Sequence, residues 1–306
     1  MGGEVTVHVG GHVTLLFSIH SSSLLSRNQG SRGAGLCLED GVEATVIISD
    51  KTDKIVVTKM DNTPLIDGEI IYHDLLEAFR EVFKISQHVG IYVNLELPHS
   101  QGFGMSAAGL MAVSFALGEL FDVGDEGQLA RLAHRIERKH SSGLGDVLGL
   151  WAGGVELRTI PGSPPSPGRS IGFSADVPAL LVWITGEEKH TSDYIDNENW
   201  KKSITNAGDK SVTKLMQHDW NRSVWPILLE EADNFSLESG LLNDSKRSDL
   251  LSLVNQFADE KMSSHLCMLG NSVVIVPRTL SSPFDIEEIT SKLRALDVGV
   301  RVTHLQ

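Results

Sequence analysis

Between Ile91 and Phe121 the chain changes hydrophobic period across a glycine loop, Pro98-His-Ser-Gln-Gly-Phe-Gly-Met-Ser-Ala-Ala108, and few folds accommodate that arrangement. Ile91–Leu97 alternates apolar and other residues, the period of a half-buried strand. Ala107–Phe121 is a long apolar run of mostly helix-forming residues. A loop between such elements turns backbone N–H groups, and the positive end of a helix dipole, toward whatever lies above it. That is a seat for phosphate, so a phosphorylated ligand is expected.

Two rival readings of the loop fail on context. Gly102-Phe-Gly-Met-Ser-Ala107 satisfies the dinucleotide fingerprint, which needs a strand running straight into its first glycine and a second strand ending in an acidic residue about 20 positions on. Here Pro98–Gln101 intervenes, and Asp122 follows the helix with no strand before it. A Walker-type loop would need Gly-Lys-[Ser/Thr], and no lysine lies between Lys84 and Lys139. A glycine-rich turn without a ligand stays open as the plainer reading.

The net charge of −14 argues against a general nucleic-acid binder and against an anionic membrane surface. A site for anionic substrates must therefore build a local positive field. With 306 residues, 41% hydrophobic and 22% charged, the chain reads as a soluble globular protein of one large domain or two ordinary ones. Cys37 and Cys267 suggest no disulfide framework, and a cytoplasmic location is expected, with no leader or membrane span. Met1–Thr6 matches an N-myristoylation pattern, but it runs into an apparent strand and is taken as accidental.

Strand character marks Val5–Val9, Val42–Ser49 and Lys54–Lys59, with Gly10-Gly11 read as a hinge and Asn28–Gly35 as a connecting segment. Helices are expected over His73–Lys84, Glu126–Lys139, 196–217, 222–238, 247–259 and Ile286–Leu296. Strands are expected at Ala179–Ile184, Val273–Val276 and Val298–Thr303. Pro161–Pro167 marks a loop near a domain boundary. Strands and helices mix without strict βαβ alternation, so the class is α+β, divided at 1–170 and 171–306.

Glu137-Arg-Lys-His-Ser-Ser-Gly-Leu-Gly-Asp-Val147 supplies what a phosphate loop lacks. Phosphoryl transfer needs Mg²⁺ ligands, a phosphate cradle and a group that orients or deprotonates the acceptor hydroxyl. Ser106 can offer a hydroxyl and Glu137 a carboxylate to Mg²⁺, with Asp146 as base toward an alcohol. The plainer alternatives are a helix N-cap for Ser106, a solvated helix face for Glu137 and a turn aspartate for Asp146.

Together these residues resemble the GHMP kinases, whose Pro-x-x-x-Gly-Leu-Gly-Ser-Ser-Ala-Ala signature corresponds to Pro98–Ala108, with Phe103 in place of leucine and Met105 in place of the first serine. The family's Ser-Gly-x-x-Asp turn corresponds to Ser142–Asp146. The resemblance implies a two-domain architecture, an N-terminal mixed sheet with helices and a C-terminal ferredoxin-like domain. It implies ATP held by Gly102, Gly104, Met105, Ser106, Ala107 and Ala108, Mg²⁺ held by Ser106 and Glu137, and Asp146 as the catalytic aspartate. The third family motif is reduced to Cys267-Met-Leu-Gly-Asn-Ser272. A small-molecule substrate, no nucleic-acid or membrane partner, and a homodimer are implied as well.

A narrower resemblance, to the branch that phosphorylates pantoate for coenzyme A biosynthesis, rests on Gly10–Thr14, Gln29–Leu36, Gly143–Val147 and Met268–Ser272, with Gly10 in a proline's place. It implies that His12, Ser31, Arg32 and Gly33 bind substrate, the Arg32 guanidinium forking a carboxylate; a solvated Arg32 and a structural His12 are the alternatives. Another small alcohol (homoserine, mevalonate or shikimate) and a non-catalytic binding protein of the same fold remain open. The family's habit also points to Thr191 and Ser192.

Overall fold

The computed structural model describes residues 3–186, 198–282 and 284–306. Strands β1 (Glu4–His20) and β2 (Gly30–Ser49) pair antiparallel along most of their length and form the spine of a six-stranded sheet. β2 bends from one partner to the next, pairing β4 (His88–Leu95) through Val42–Ser49 and β5 (Val155–Ile160) through Gly33–Leu36. The edges are β3 (Lys54–Thr58), parallel to β4, and β6 (Arg169–Phe173), antiparallel to β5.

Gly10-Gly11 is not a hinge. β1 runs straight through it, with a register shift between Gly10 and His12. Nor is Asn28–Gly35 a connector, since β2 begins at Gly30 after a 3-10 turn at Ser26–Asn28. Glycine there answers close packing: a Cβ on Gly33 would lie 2.7 Å from an Arg158 nitrogen, and one on Gly35 2.6 Å from His12 Nε2. The proline-rich loop joins β5 to β6 inside the first sheet, and the chain passes to the second sheet only after Phe173.

One face of the sheet carries α1 (Ile70–Phe83), α2 (Met105–Phe121), α3 (Glu126–Lys139) and the short α4 (Asp146–Ala152). α2 touches β1, β2 and α3, which explains why it is apolar nearly all round. α3 has the opposite character, one apolar face and a capping box between Asp125 and Gln128.

The second sheet holds β7 (Pro178–Trp183), β8 (Met262–Cys267), β9 (Ser272–Pro277) and β10 (Gly299–His304) in the order β10-β7-β9-β8, all antiparallel, the ferredoxin-like order. Its helices are α5 (Glu198–Leu215), α6 (Trp225–Glu238), α7 (Ser245–Asn255) and α8 (Ile286–Arg294). The two sheets are stitched together: Leu38 bridges Leu305, Gln306 N donates to Cys37 O, and Met268 N donates to Thr14 O. α5 packs on β1, so the class is α+β as expected.

Candidate functional site

The glycine loop forms one wall of a cleft of about 320 Å³. Gly102 (φ +79°) and Gly104 (φ +70°) both occupy the left-handed region, and a Cβ on Gly104 would lie 2.9 Å from His12 N. Gly104 caps α2 and no side chain bonds the helix's first-turn N–H groups, so they stay available to an anion. Met105, Ala107 and Ala108 are core side chains that bring only backbone to the site, whereas Ser106 lines the cleft. Ser106 lies inside α2 and is not its cap. The β8–β9 turn braces the loop from behind: Ser272 Oγ donates to Gln101 O, and Gly270 leaves no room for a Cβ against the same carbonyl. One glycine in this turn is enough for that contact.

Opposite the loop, Asp146 opens α4 after Gly145, where the helix dipole favours an anion. Its Oδ1 meets His12 Nδ1 at 2.7 Å, and His12 Nε2 meets Glu156 Oε1 at 3.1 Å. Arg158 pairs with Glu156 at 3.1 Å and donates to Ser31 Oγ (2.8 Å) and Thr14 Oγ1 (3.3 Å). Burial by itself would lower the His12 pKa, but the bonds and charges of Asp146 and Glu156 outweigh it and the pKa is raised. Burial would likewise raise Asp146, yet His12 and Arg158 hold its pKa below the usual value. The result is an imidazolium clamped between two carboxylates.

Glu137 is fully buried in α3, not on a solvated helix face. Neither carboxylate oxygen has a hydrogen-bond partner of good geometry, and a Cβ on Gly143 would meet both Glu137 Oε1 and Asp146 Oδ2. Burial, reinforced by the Asp146 charge, pushes the Glu137 pKa well above the ordinary carboxylate range. Asp146 Oδ2, left over from the His12 bond, and the Glu137 carboxylate beside it are oxygen donors that fit a divalent cation.

Ser31 and Gly33 lie against Arg158, and His12 reaches it through Glu156, but Arg32 does not join them. Successive residues of a strand face opposite ways. Arg32 therefore points to the other side of β2, where Nε bonds Thr159 O (3.1 Å) and Nη1 bonds Asp209 (2.8 Å). The guanidinium on the cleft is Arg158, which the sequence reading missed. Its signal was present in Val155-Glu-Leu-Arg158, where charges alternate with apolar residues and so share one strand face. Thr191 and Ser192 lie outside the described residues.

Residues 69–154 match the GHMP kinases N terminal domain. The chain is 36% identical to a pantoate kinase of Methanospirillum hungatei over 88% of its own length and 86% of that protein. It is 28% identical to one of Thermococcus kodakarensis over 91% and 93%. Among solved structures, a phosphotransferase related to the CoA biosynthesis pathway superposes with a TM-score of 0.78 (24% identity, 99% and 96% covered). The mevalonate kinase of Methanococcus jannaschii superposes with 0.69 (15% identity, 99% and 99%).

Proposed function

The chain belongs to the GHMP kinases, and on that premise we propose that it transfers the terminal phosphoryl group of ATP to the primary hydroxyl of (R)-pantoate, giving 4-phosphopantoate. The observation that carries this reading is a single cleft joining an uncapped helix N-terminus, the Asp146 carboxylate and the buried Arg158 guanidinium, with Glu137 buried beside Asp146 at Gly143. The N–H groups at the start of α2 hold the ATP phosphates. Arg158, on the face shared with Ser31 and Thr14, takes the pantoate carboxylate.

Asp146 orients the acceptor hydroxyl and receives its proton. Its low basicity suits a loose transition state, in which positioning and charge contribute more than early proton abstraction. The imidazolium of His12 fixes one Asp146 oxygen and leaves Oδ2 toward the Glu137 side of the cleft. Glu137 and Ser106 would hold Mg²⁺, which when bound neutralises charge on the phosphates. Among the described residues no helix is long and apolar enough to cross a membrane.

ADP release with ATP and Mg²⁺ across (R)-pantoate, homoserine, mevalonate and shikimate tests the reading, with Asp146→Asn as the blank. Turnover of pantoate alone, lost in the variant, is expected. Preference for another alcohol overturns the substrate, and no turnover with any of them overturns the reaction.

A further inference from the structure

A second concavity, of about 270 Å³, shares no lining residue with the cleft. It lies between the Ser26–Asn28 turn, the C-terminal end of α1 and the exposed stripe of α3. Its apolar lining is Val82, Phe83 and Leu132, with Val82 about half exposed. Arg27, Arg131 and Arg135 surround that lining.

This arrangement is unfavourable as it stands. Arg131 and Arg135 are four apart on one helix, a spacing at which like charges repel. Among the described residues Arg27 and Arg131 form no ion pair, although the chain carries an excess of 14 negative charges. Among the described residues the ion-pair partner of Arg135 is Glu81, at 3.6 Å with both groups exposed, a contact worth little. The walls are also preset. His134 is buried, and its Nε2 bonds Ser26 O at 3.2 Å, holding the turn that carries Arg27 against α3.

We propose that this groove is a binding site for a small organic phosphate, its dianion forked by the arginines and its apolar body seated on Val82, Phe83 and Leu132. Guanidinium forks match phosphate oxygens two at a time, and apolar area left open to water is covered by the remainder of such a ligand.

The test uses anilinonaphthalene sulfonate as a fluorescent reporter and phenyl phosphate as the probe, with ATP and Mg²⁺ saturating so that the cleft is filled. A single saturable site is expected, from which phenyl phosphate displaces the reporter at least tenfold more effectively than phenol. Arg27→Glu/Arg131→Glu should weaken reporter binding by tenfold or more while ADP release stays unchanged; Arg131→Gln, a milder change, should weaken it in the same direction. Equal binding to these variants, equal competition by phenol, or loss of the reporter signal when ATP is added would each overturn the proposal.

Discussion

On the proposed mechanism Asp146 and Arg158 divide the work of the cleft by charge, and substitutions should separate their roles. Asp146→Asn keeps the shape but removes the charge that orients the hydroxyl. Turnover should fall by about 10²–10⁴ with ATP binding nearly intact, checked by steady-state kinetics beside a nucleotide titration. Arg158→Lys keeps the charge that Glu156 needs but loses the fork. The KM for pantoate should rise by about 10–100-fold, the equivalent of one charge-assisted hydrogen bond, while the KM for ATP stays close to its original value. Equal changes in both constants would count against a carboxylate clamp. Glu137 carries a pH signature. Its folded pKa is raised above the unfolded value of 4.5, so the native state holds the proton longer and stability falls as pH rises above 4.5. Glu137→Gln should flatten that decline in denaturant titrations of the metal-free protein.

At the scale of elements, the anchoring of α1 to the β3 edge gives the opposite sign. Asp53 accepts from Arg80 Nη1 and Nη2 at 2.7 and 2.8 Å and from Val89 N at 2.9 Å. The Arg80 bonds hold its pKa down at about 2. Its contribution is therefore complete above the unfolded value of 3.8 and is lost as pH falls through about 2. Asp53→Asn should cost about 1–2 kcal/mol at pH 7, read from urea midpoints, and clearly less at pH 2. The glycine loop makes a second case. Gly104→Ala adds a methyl at φ +70° against the His12 backbone, so it strains the turn and displaces the α2 N-terminus. Nucleotide affinity should drop more than stability does, as calorimetry and thermal melts run side by side would show.

The two sheets should unfold as one molecule. Backbone bonds join Cys37 to Gln306 and Thr14 to Met268, and the β8–β9 turn sits behind the phosphate loop. A single thermal transition, coincident by far- and near-UV circular dichroism, is expected. ATP at about 100 times its Kd should stabilise the whole chain by about 2.7 kcal/mol. Two separate transitions would mean that these bonds do not couple the sheets.

Local pattern alone determined the strand–loop–helix at Ile91–Phe121, the helix Glu126–Lys139 and the α+β class, and it singled out Ser106 and Asp146, which the fold brings to one cleft, because each rests on a period or a turn readable within a few residues. The long strands through Gly10-Gly11 and Asn28–Gly35 were not legible. Glycine in those positions answers a neighbour distant in sequence, such as Arg158 beside Gly33. The cationic partner was misassigned for the same reason. Which of Arg32 and Arg158 reaches the cleft depends on which face of its strand each occupies, and the pairing of β2 with β5 sets that. Glu137 reads as an ordinary helix glutamate until packing buries it beside Asp146, and only tertiary structure converts that carboxylate into a candidate metal ligand.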